Sequence, residues 1–421
     1  MTAARDSSNC PAGSTTPAPN STPGLATPDS AEPRSASWLG PPTQQSPTRI
    51  EGPARVDIPD AAKYPSRRGF LGRAALIAAG PTAAAILGPT LITTSAAQAD
   101  AASVDDLPSF APVPPSSFGP PLNADGYYVG QIHDNLYWVT DGFYQSMFVT
   151  GTRGVVVVDA PPTIGHNLLR AINQITAETD TPSTVTHLVY SHFHADHIGA
   201  SAIFGDDVVR VGHVQTQRLL REAGDPNRPP PTMTFKEHHV LEFGDERLEL
   251  AFHGPNHSPD NIFIYAPRHR ALMVVDVFFP GWVPFKSLGV SQDIPAWVRA
   301  HDIAMDYGWT TLVSGHLGRL GVRADADLQR QYIGDLDASV KQTMTSLDPT
   351  PFFQQYGPSG NAWAIFKTYL DAAAQQAAAP VTEKYLDKLG GADVFSVDNA
   401  AALFESLRID AGTLGPFGIR P

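Results

Sequence analysis

Apolar residues recur with two different periods along this chain, and the change of period divides it. Val129–Ile132, Leu136–Thr140, Ser146–Thr150 and Gly154–Asp159 are short apolar runs separated by Asp-Asn, Asp-Gly and Thr-Arg-Gly turns. That spacing predicts an antiparallel meander from about Tyr127. Val155–Val158 reads as a fully buried strand ending on an acid, Asp159. The period then lengthens. His166–Thr176 places Leu168, Leu169, Ile172 and Ile175 on one helical side, and Thr186–Tyr190 returns to strand character. A short helix over Ala195–Phe204, a strand at Val208–Val211 and a helix at Val214–Ala223 follow, then a strand pair at Val240–Phe243 and Arg247–His253. Ile262–Ala266 and Ala271–Val275 predict a hairpin, the second strand ending on Asp276. Ile294–Tyr307 is an amphipathic helix, and Thr311–Ser314 a strand ending at Gly315-His316. From Arg323 only the helical period remains: Leu328, Tyr332, Leu336, Val340 and Met344 recur every four residues. One or two helices over Asn361–Leu389 and another over Asp398–Ile409 complete a helical layer. Trp363, Phe366 and Tyr369 would give it a pocket wall or a self-association surface, leaving a homo-oligomer through these helices open.

Composition changes the picture most at the start. Residues 1–65 are rich in Ser, Thr, Pro and Ala without a sustained apolar period, and so read as a disordered head. Ser66-Arg67-Arg68-Gly69-Phe70-Leu71-Gly72-Arg73 precedes a weakly apolar stretch to about Ile92 and the small residues Ala97-Gln98-Ala99. The segment 66–99 resembles a twin-arginine export signal cleaved near Ala99, which implies the export machinery as a partner and a location in the periplasm, cell envelope or medium. Gly80, Pro81, Gly88 and Pro89 argue against a stable membrane anchor. The head is long for a signal, so translation from near Val56 is a further expectation. Residues 100–126, Pro- and Ser-rich, predict an extended arm. The net charge of −13 and the lack of a basic stripe exclude a nucleic-acid binder and point to a small-molecule substrate.

The chemistry is confined by residue type. Cys10 is the only thiol and lies in the head, so no thiolate can act as ligand or nucleophile in the folded part. All fourteen histidines lie between His133 and His316. His192, His194, Asp196 and His197 fall within six positions just after a strand. Alternation along extended backbone directs His192 and His194 the same way, and a turn brings Asp196 and His197 back. Imidazole and carboxylate are ligands for zinc or another borderline divalent ion. His257 sits in a Gly/Pro/Asn-rich turn, Asp276 at a strand end and His316 between glycines, each aimed by backbone. Asp159, at an early strand end, either caps a loop or orients a ligand from behind. His238-His239 reads as a solvated edge, and His213 and His253 as packed or hydrogen-bonded. The segment Phe278-Phe279-Pro280-Gly281-Trp282 is apolar and bent. Phe278, Phe279 and Trp282 are its candidate pocket residues, with ordinary packing the alternative.

His192-x-His194-x-Asp196-His197 followed by His257, Asp276 and His316 resembles the ligand series of the metallo-β-lactamase fold superfamily. The resemblance covers about residues 127–320. It implies an α/β fold, a four-layer αββα sandwich over 127–322, to which residues 323–421 add the C-terminal helical region. It implies one Zn2+ on His192, His194 and His257, a second on Asp196, His197 and His316, Asp276 bridging both, and Asp159 behind the ligands; Fe or Mn remain alternative ions. The bridging Asp276 is similar to that of the glyoxalase II and lactonase branches and differs from the Cys-type β-lactamase site. The activity implied is hydrolysis, a metal-bridged hydroxide attacking an ester, lactone or amide carbonyl, with Asp196 orienting the nucleophile and moving a proton. A β-lactam hydrolase proper, an iron-dependent redox enzyme similar to sulfur dioxygenases, and a non-catalytic binding protein are the alternatives.

Overall fold

The computed structural model describes residues 107–413. The head at 1–65, the export signal at 66–99 with its cleavage point, and Cys10 lie outside the described residues. So do the first part of the arm, 100–106, and the last residues, 414–421.

Twelve described strands form two sheets. The first joins β1 (Tyr128–His133), β2 (Leu136–Thr140), β3 (Gln145–Gly151), β4 (Gly154–Val158), β5 (Val185–Val189), β6 (Val209–His213) and β7 (Met233–Phe235) in sequence order. The second joins β8 (His238–Phe243), β9 (Glu246–Ala251), β10 (Phe263–Ala266), β11 (Ala271–Met273) and β12 (Thr311–Val313), with β12 beside β11. The meander β1–β4 is antiparallel, as its turns predict. β4 through β7 and the pair β11–β12 are parallel. Parallel neighbours need crossovers. α1 (His166–Thr179) connects β4 to β5 and α3 (Val214–Ala223) follows β6. α5 (Ile294–Asp306) connects β11 to β12.

The period of two along each strand sorts residues between layers. Val156 and Val158 enter the core between the sheets with Met147, Leu250, Ile264 and Met273. Val155 and Val157 face the other way, onto Leu168, Ala171 and Ile172 of α1. Leu272, Val274 and Leu312 leave the second sheet on its far side and meet Trp297 of α5 and the C-terminal helices. Helices, sheet, sheet and helices are therefore stacked, an αββα sandwich.

The C-terminal region consists of α6 (Arg323–Ser346), α7 (Thr350–Tyr356), α8 (Ala362–Tyr385) and α9 (Ala392–Ile409). α9 begins six residues before the expected Asp398, and α7 has no counterpart in the apolar pattern because none of its residues is buried. The helix expected over Ala195–Phe204 is broken into α2 (Ala195–Ile198) and a 3-10 turn at Ser201–Phe204. The break falls at Gly199, where a Cβ would meet the Ala195 carbonyl oxygen at 2.3 Å. The arm is tied down at its described end: Ser117 Oγ donates to Gly281 O (2.6 Å) and Trp282 Nε1 to Ser117 O (3.2 Å). No described helix is long and apolar enough to cross a membrane.

Between β11 and α5 lies α4 (Lys286–Val290), whose backbone is left-handed: Ser287, Leu288, Gly289 and Val290 have φ of 54°, 56°, 72° and 54°. Non-glycine residues rarely adopt this region, and a β-branched one very rarely. The turn is held from the C-terminal region. Buried Asn399 of α9 accepts from Leu288 N–H (2.7 Å) and donates to Pro284 O (2.9 Å).

Candidate metal centre

Four strand ends meet at one edge of the sandwich. In sheets with parallel strands the carboxyl ends are where side chains of successive loops converge. Asp159 follows β4, His192 follows β5, Asp276 follows β11 and His316 follows β12. His257 lies in the turn just before β10, which is antiparallel to β11, so it arrives at the same edge. Asp159 and Asp276 both leave their strands with positive φ, 60° and 61°, a conformation that a short polar side chain tolerates.

The seven candidate ligands come together around Asp276. Its Oδ2 lies 3.1 Å from His197 Nε2, 3.1 Å from His257 Nε2 and 3.4 Å from His192 Nε2, and its Oδ1 lies 2.8 Å from His316 Nε2. His194 Nδ1 is 2.9 Å from His257 Nε2. Asp196 Oδ2 is 3.5 Å from His197 Nε2 and 3.8 Å from His316 Nε2. Donor atoms of His192, His194, His257 and Asp276 all lie within 4.8 Å of one another, as do those of Asp196, His197 and His316.

This donor set fits divalent cations. His192 Nδ1 is engaged by Ser191 Oγ (3.0 Å), which turns Nε2 into the cluster, where it is buried with no hydrogen-bond partner among the described residues. His197 Nε2 and His316 Nε2 approach to 3.1 Å. Facing imidazole nitrogens are reconciled only by a proton or a cation between them. Burial holds His192 well below the usual imidazole range and brings His194 down to about 4, with His257 adding to the second shift. His257 is lowered by burial as well. Neutral imidazole is the form that binds metal. Burial alone would raise Asp276, yet the His257, His197 and His316 rings hold its carboxyl well below the ordinary range. Burial alone would lower His197, yet Asp276 carries it up to about 9, so that ring supplies the charge opposing the carboxylate.

Polar clamps fix the backbone beside His192, Asp276 and His316. Asp159 Oδ1 accepts from Ser191 N–H (2.8 Å), one residue before His192, and burial pushes its carboxyl up to about 6. Ile262 N–H donates to Ser191 O (3.0 Å), which ties the His257 turn to the histidine motif. Asn261 Nδ2 donates to Val275 O (2.9 Å), and Trp297 Nε1 to Asp276 O (2.8 Å). Gln145 Nε2 donates to the carbonyls of His316, Leu317 and Arg319, and its Oε1 accepts from Ser314 N–H (3.1 Å). Asn261, Gln145 and Trp297 escape sequence reading as site residues because their partners are backbone atoms far along the chain. Gln145 lies one residue before the strand expected at Ser146–Thr150, and nothing in the sequence marked it.

A cavity of about 530 Å³ opens above the cluster. Phe279 and Trp282 line it; Phe278 does not. Phe278 turns into the core against His301, ring centroids 4.7 Å apart. Tyr144 lines the cavity too, its ring 4.7 Å from that of His316. Burial, then Asp196 and Asp276, push its phenol up to about 12. The far wall is C-terminal, but it is Gly390, Gly391, Val394 and Phe395. Trp363 is 82% exposed and Tyr369 buried, both away from the cavity. Gly390 packs on Trp282, whose ring a Cβ would meet at 2.6 Å. His213 stacks on Phe252, and His253 Nε2 meets Tyr307 Oη at 2.7 Å. The His238-His239 doublet lies inside β8, outside the ligand groups.

Residues 139–316 match the family model described as the metallo-beta-lactamase superfamily. Among curated proteins the chain is similar to the 2,4-dinitroanisole O-demethylase subunit alpha of Nocardioides sp. (strain JS1661). The two are 24% identical over 249 residues, 56% of this chain and 72% of that protein. It is also similar to a metallo-beta-lactamase type 2 of Bacillus sp. (strain 170), 23% identical over 155 residues, which cover 34% of this chain and 57% of that one. Among solved structures, a metallo-beta-lactamase from Pontibacter korlensis aligns with a TM-score of 0.41 at 21% identity, over 49% of this chain and 97% of that one.

Proposed function

We propose that the metallo-beta-lactamase superfamily domain carried by this chain is a dinuclear metal-dependent hydrolase, zinc being the preferred ion, that cleaves an ester, lactone or amide bond. One observation carries this reading: four imidazole nitrogens converge on the two oxygens of the buried Asp276 carboxylate at the foot of a cavity. His192, His194 and His257 would hold one ion, Asp196, His197 and His316 the other, and Asp276 both. Bound there, a divalent pair supplies water of lowered pKa and a Lewis acid for an acyl oxygen.

The chain's own residues do the rest. Asp196, its side chain 43% exposed, faces the cavity and would orient the attacking water and carry its proton to the leaving group. Burial and the neighbouring carboxylates disfavour ionisation of Tyr144, so its phenol serves as a hydrogen-bond donor at neutral pH. Phe279, Trp282 and Phe395 surround the reacting bond with apolar surface and limit competing water. The Arg67-Arg68 segment supports action outside the cytoplasm.

Metal analysis of the full chain should find about two ions per molecule, with chelation abolishing turnover of an ester, lactone and amide panel. A stoichiometric metal content without any turnover would refute the hydrolase reading. Tyr144→Phe should lower kcat roughly 10- to 100-fold while leaving the metal content unchanged. An unaltered kcat would remove the phenol from the mechanism. A second reading follows from the Nocardioides relative, whose printed name specifies O-demethylation of 2,4-dinitroanisole. For this chain, water would cleave an activated methyl aryl ether to the phenol and methanol, so that compound belongs in the panel.

A further inference from the structure

The cavity carries charge only at its floor. We infer that it takes an uncharged substrate with a bulky apolar group, one without carboxylate, phosphate or sulfonate; this rests on the hydrolase reading of the same site. Phe279, Trp282, Phe285, Val290, Val394 and Phe395 build its walls and mouth, and no lysine or arginine among the described residues lines it. The neighbouring cations lie outside the lining. Arg319 donates to both oxygens of Asp325 (2.7 and 2.9 Å), and the Lys286 ammonium faces Asp398 at 3.6 Å.

An anionic group set against these walls, above the metal-binding floor, would shed its hydration without meeting a lysine or arginine. The mouth invites the opposite kind of group. Phe285 and Val290 are 51% and 57% exposed, apolar surface that a bound acyl chain or ring would cover. Both positions are dictated by the left-handed turn, and Phe285 packs on Phe395 of α9, ring centroids 4.9 Å apart. A volume of about 530 Å³ admits a drug-sized molecule. β-Lactams carry a carboxylate, so this cavity disfavours them.

The test uses the full chain reconstituted with zinc and two matched esters, p-nitrophenyl hexanoate and the mono-p-nitrophenyl ester of adipic acid. They differ by one terminal carboxylate. The neutral ester should have a kcat/KM higher by about tenfold or more. Val290→Lys, at an exposed position where lysine fits positive φ no worse than valine, should close most of that gap with metal content unchanged. Equal or better use of the carboxylate by the parent chain would overturn the inference and leave the hydrolase reading intact. So would a preference that Val290→Lys does not move. Binding gives an independent readout through displacement of the neutral fluorophore N-phenyl-1-naphthylamine. If neither ester is turned over, the hydrolase reading is carried to the lactone and amide panel and the neutral-cavity inference rests on binding alone. Stronger displacement by methyl hexanoate than by monomethyl adipate would then still support the neutral cavity, and the reverse order would defeat it.

Discussion

Replacing Asp276 by alanine is expected to abolish turnover, with kcat/KM falling roughly a thousandfold or more and the metal content dropping from about two ions to one or fewer. Loss of a group that merely orients a ligand typically costs about 10- to 100-fold in affinity or activity. Asp276 is more than that: both its oxygens face the cluster, and four of the six other candidate ligands approach it within 3.4 Å. Asp276→Asn keeps the shape and removes the charge that opposes the surrounding imidazoles, so it should fall between the parent and alanine in both readouts. Metal content by elemental analysis, measured beside kcat/KM, checks the expectation. Two tightly held ions in Asp276→Ala would show that the carboxylate does not bridge them.

The second large effect lies far from the ligands in sequence. Asn399→Ala should lower stability by about 3 kcal/mol in urea denaturation of the metal-loaded chain. Two buried backbone groups, Leu288 N–H and Pro284 C=O, would lose their partner at once. They belong to a turn that already stores strain, since left-handed backbone costs about 1–2 kcal/mol per non-glycine residue. The turn would relax, Phe285 and Val290 would leave the cavity mouth, and KM for an apolar ester should rise more than kcat falls. Ser287→Gly relieves positive φ at one position and should recover about 0.5–1 kcal/mol of the loss. A destabilisation below about 1 kcal/mol would mean that the turn keeps its shape without α9.

These two sites differ in how far they could be read from the chain alone. The histidine motif is legible because its residues are neighbours: strand alternation and one turn suffice to aim His192, His194 and His197 together. His257, Asp276 and His316 are legible more weakly, as ligand-type residues at strand ends or in tight turns. The α1 stripe was legible too, but the layers came from the family resemblance, because four successive valines do not say which of them meets the helix and which the other sheet. Phe278 and Phe279 show the limit. Both read as pocket residues, and only the path of the backbone after β11 sends one inward and the other to the cavity. Nothing in Ser287-Leu288-Gly289-Val290 favours left-handed backbone except Gly289, because the stabilising partner is Asn399, more than a hundred residues later.

The sequence by itself determined the candidate metal-ligand residues, the strand and helix periods, the placement of the lone cysteine in the head and the net negative charge. Those properties depend on residue type and short spacing. The tertiary structure decided which groups meet: Tyr144 beside His316, Gln145 clamping the loop that carries it, and Gly390–Phe395 closing a cavity that no described lysine or arginine lines. Those properties depend on long-range packing, where one buried hydrogen bond or one ring-to-backbone contact selects a conformation that local preference does not.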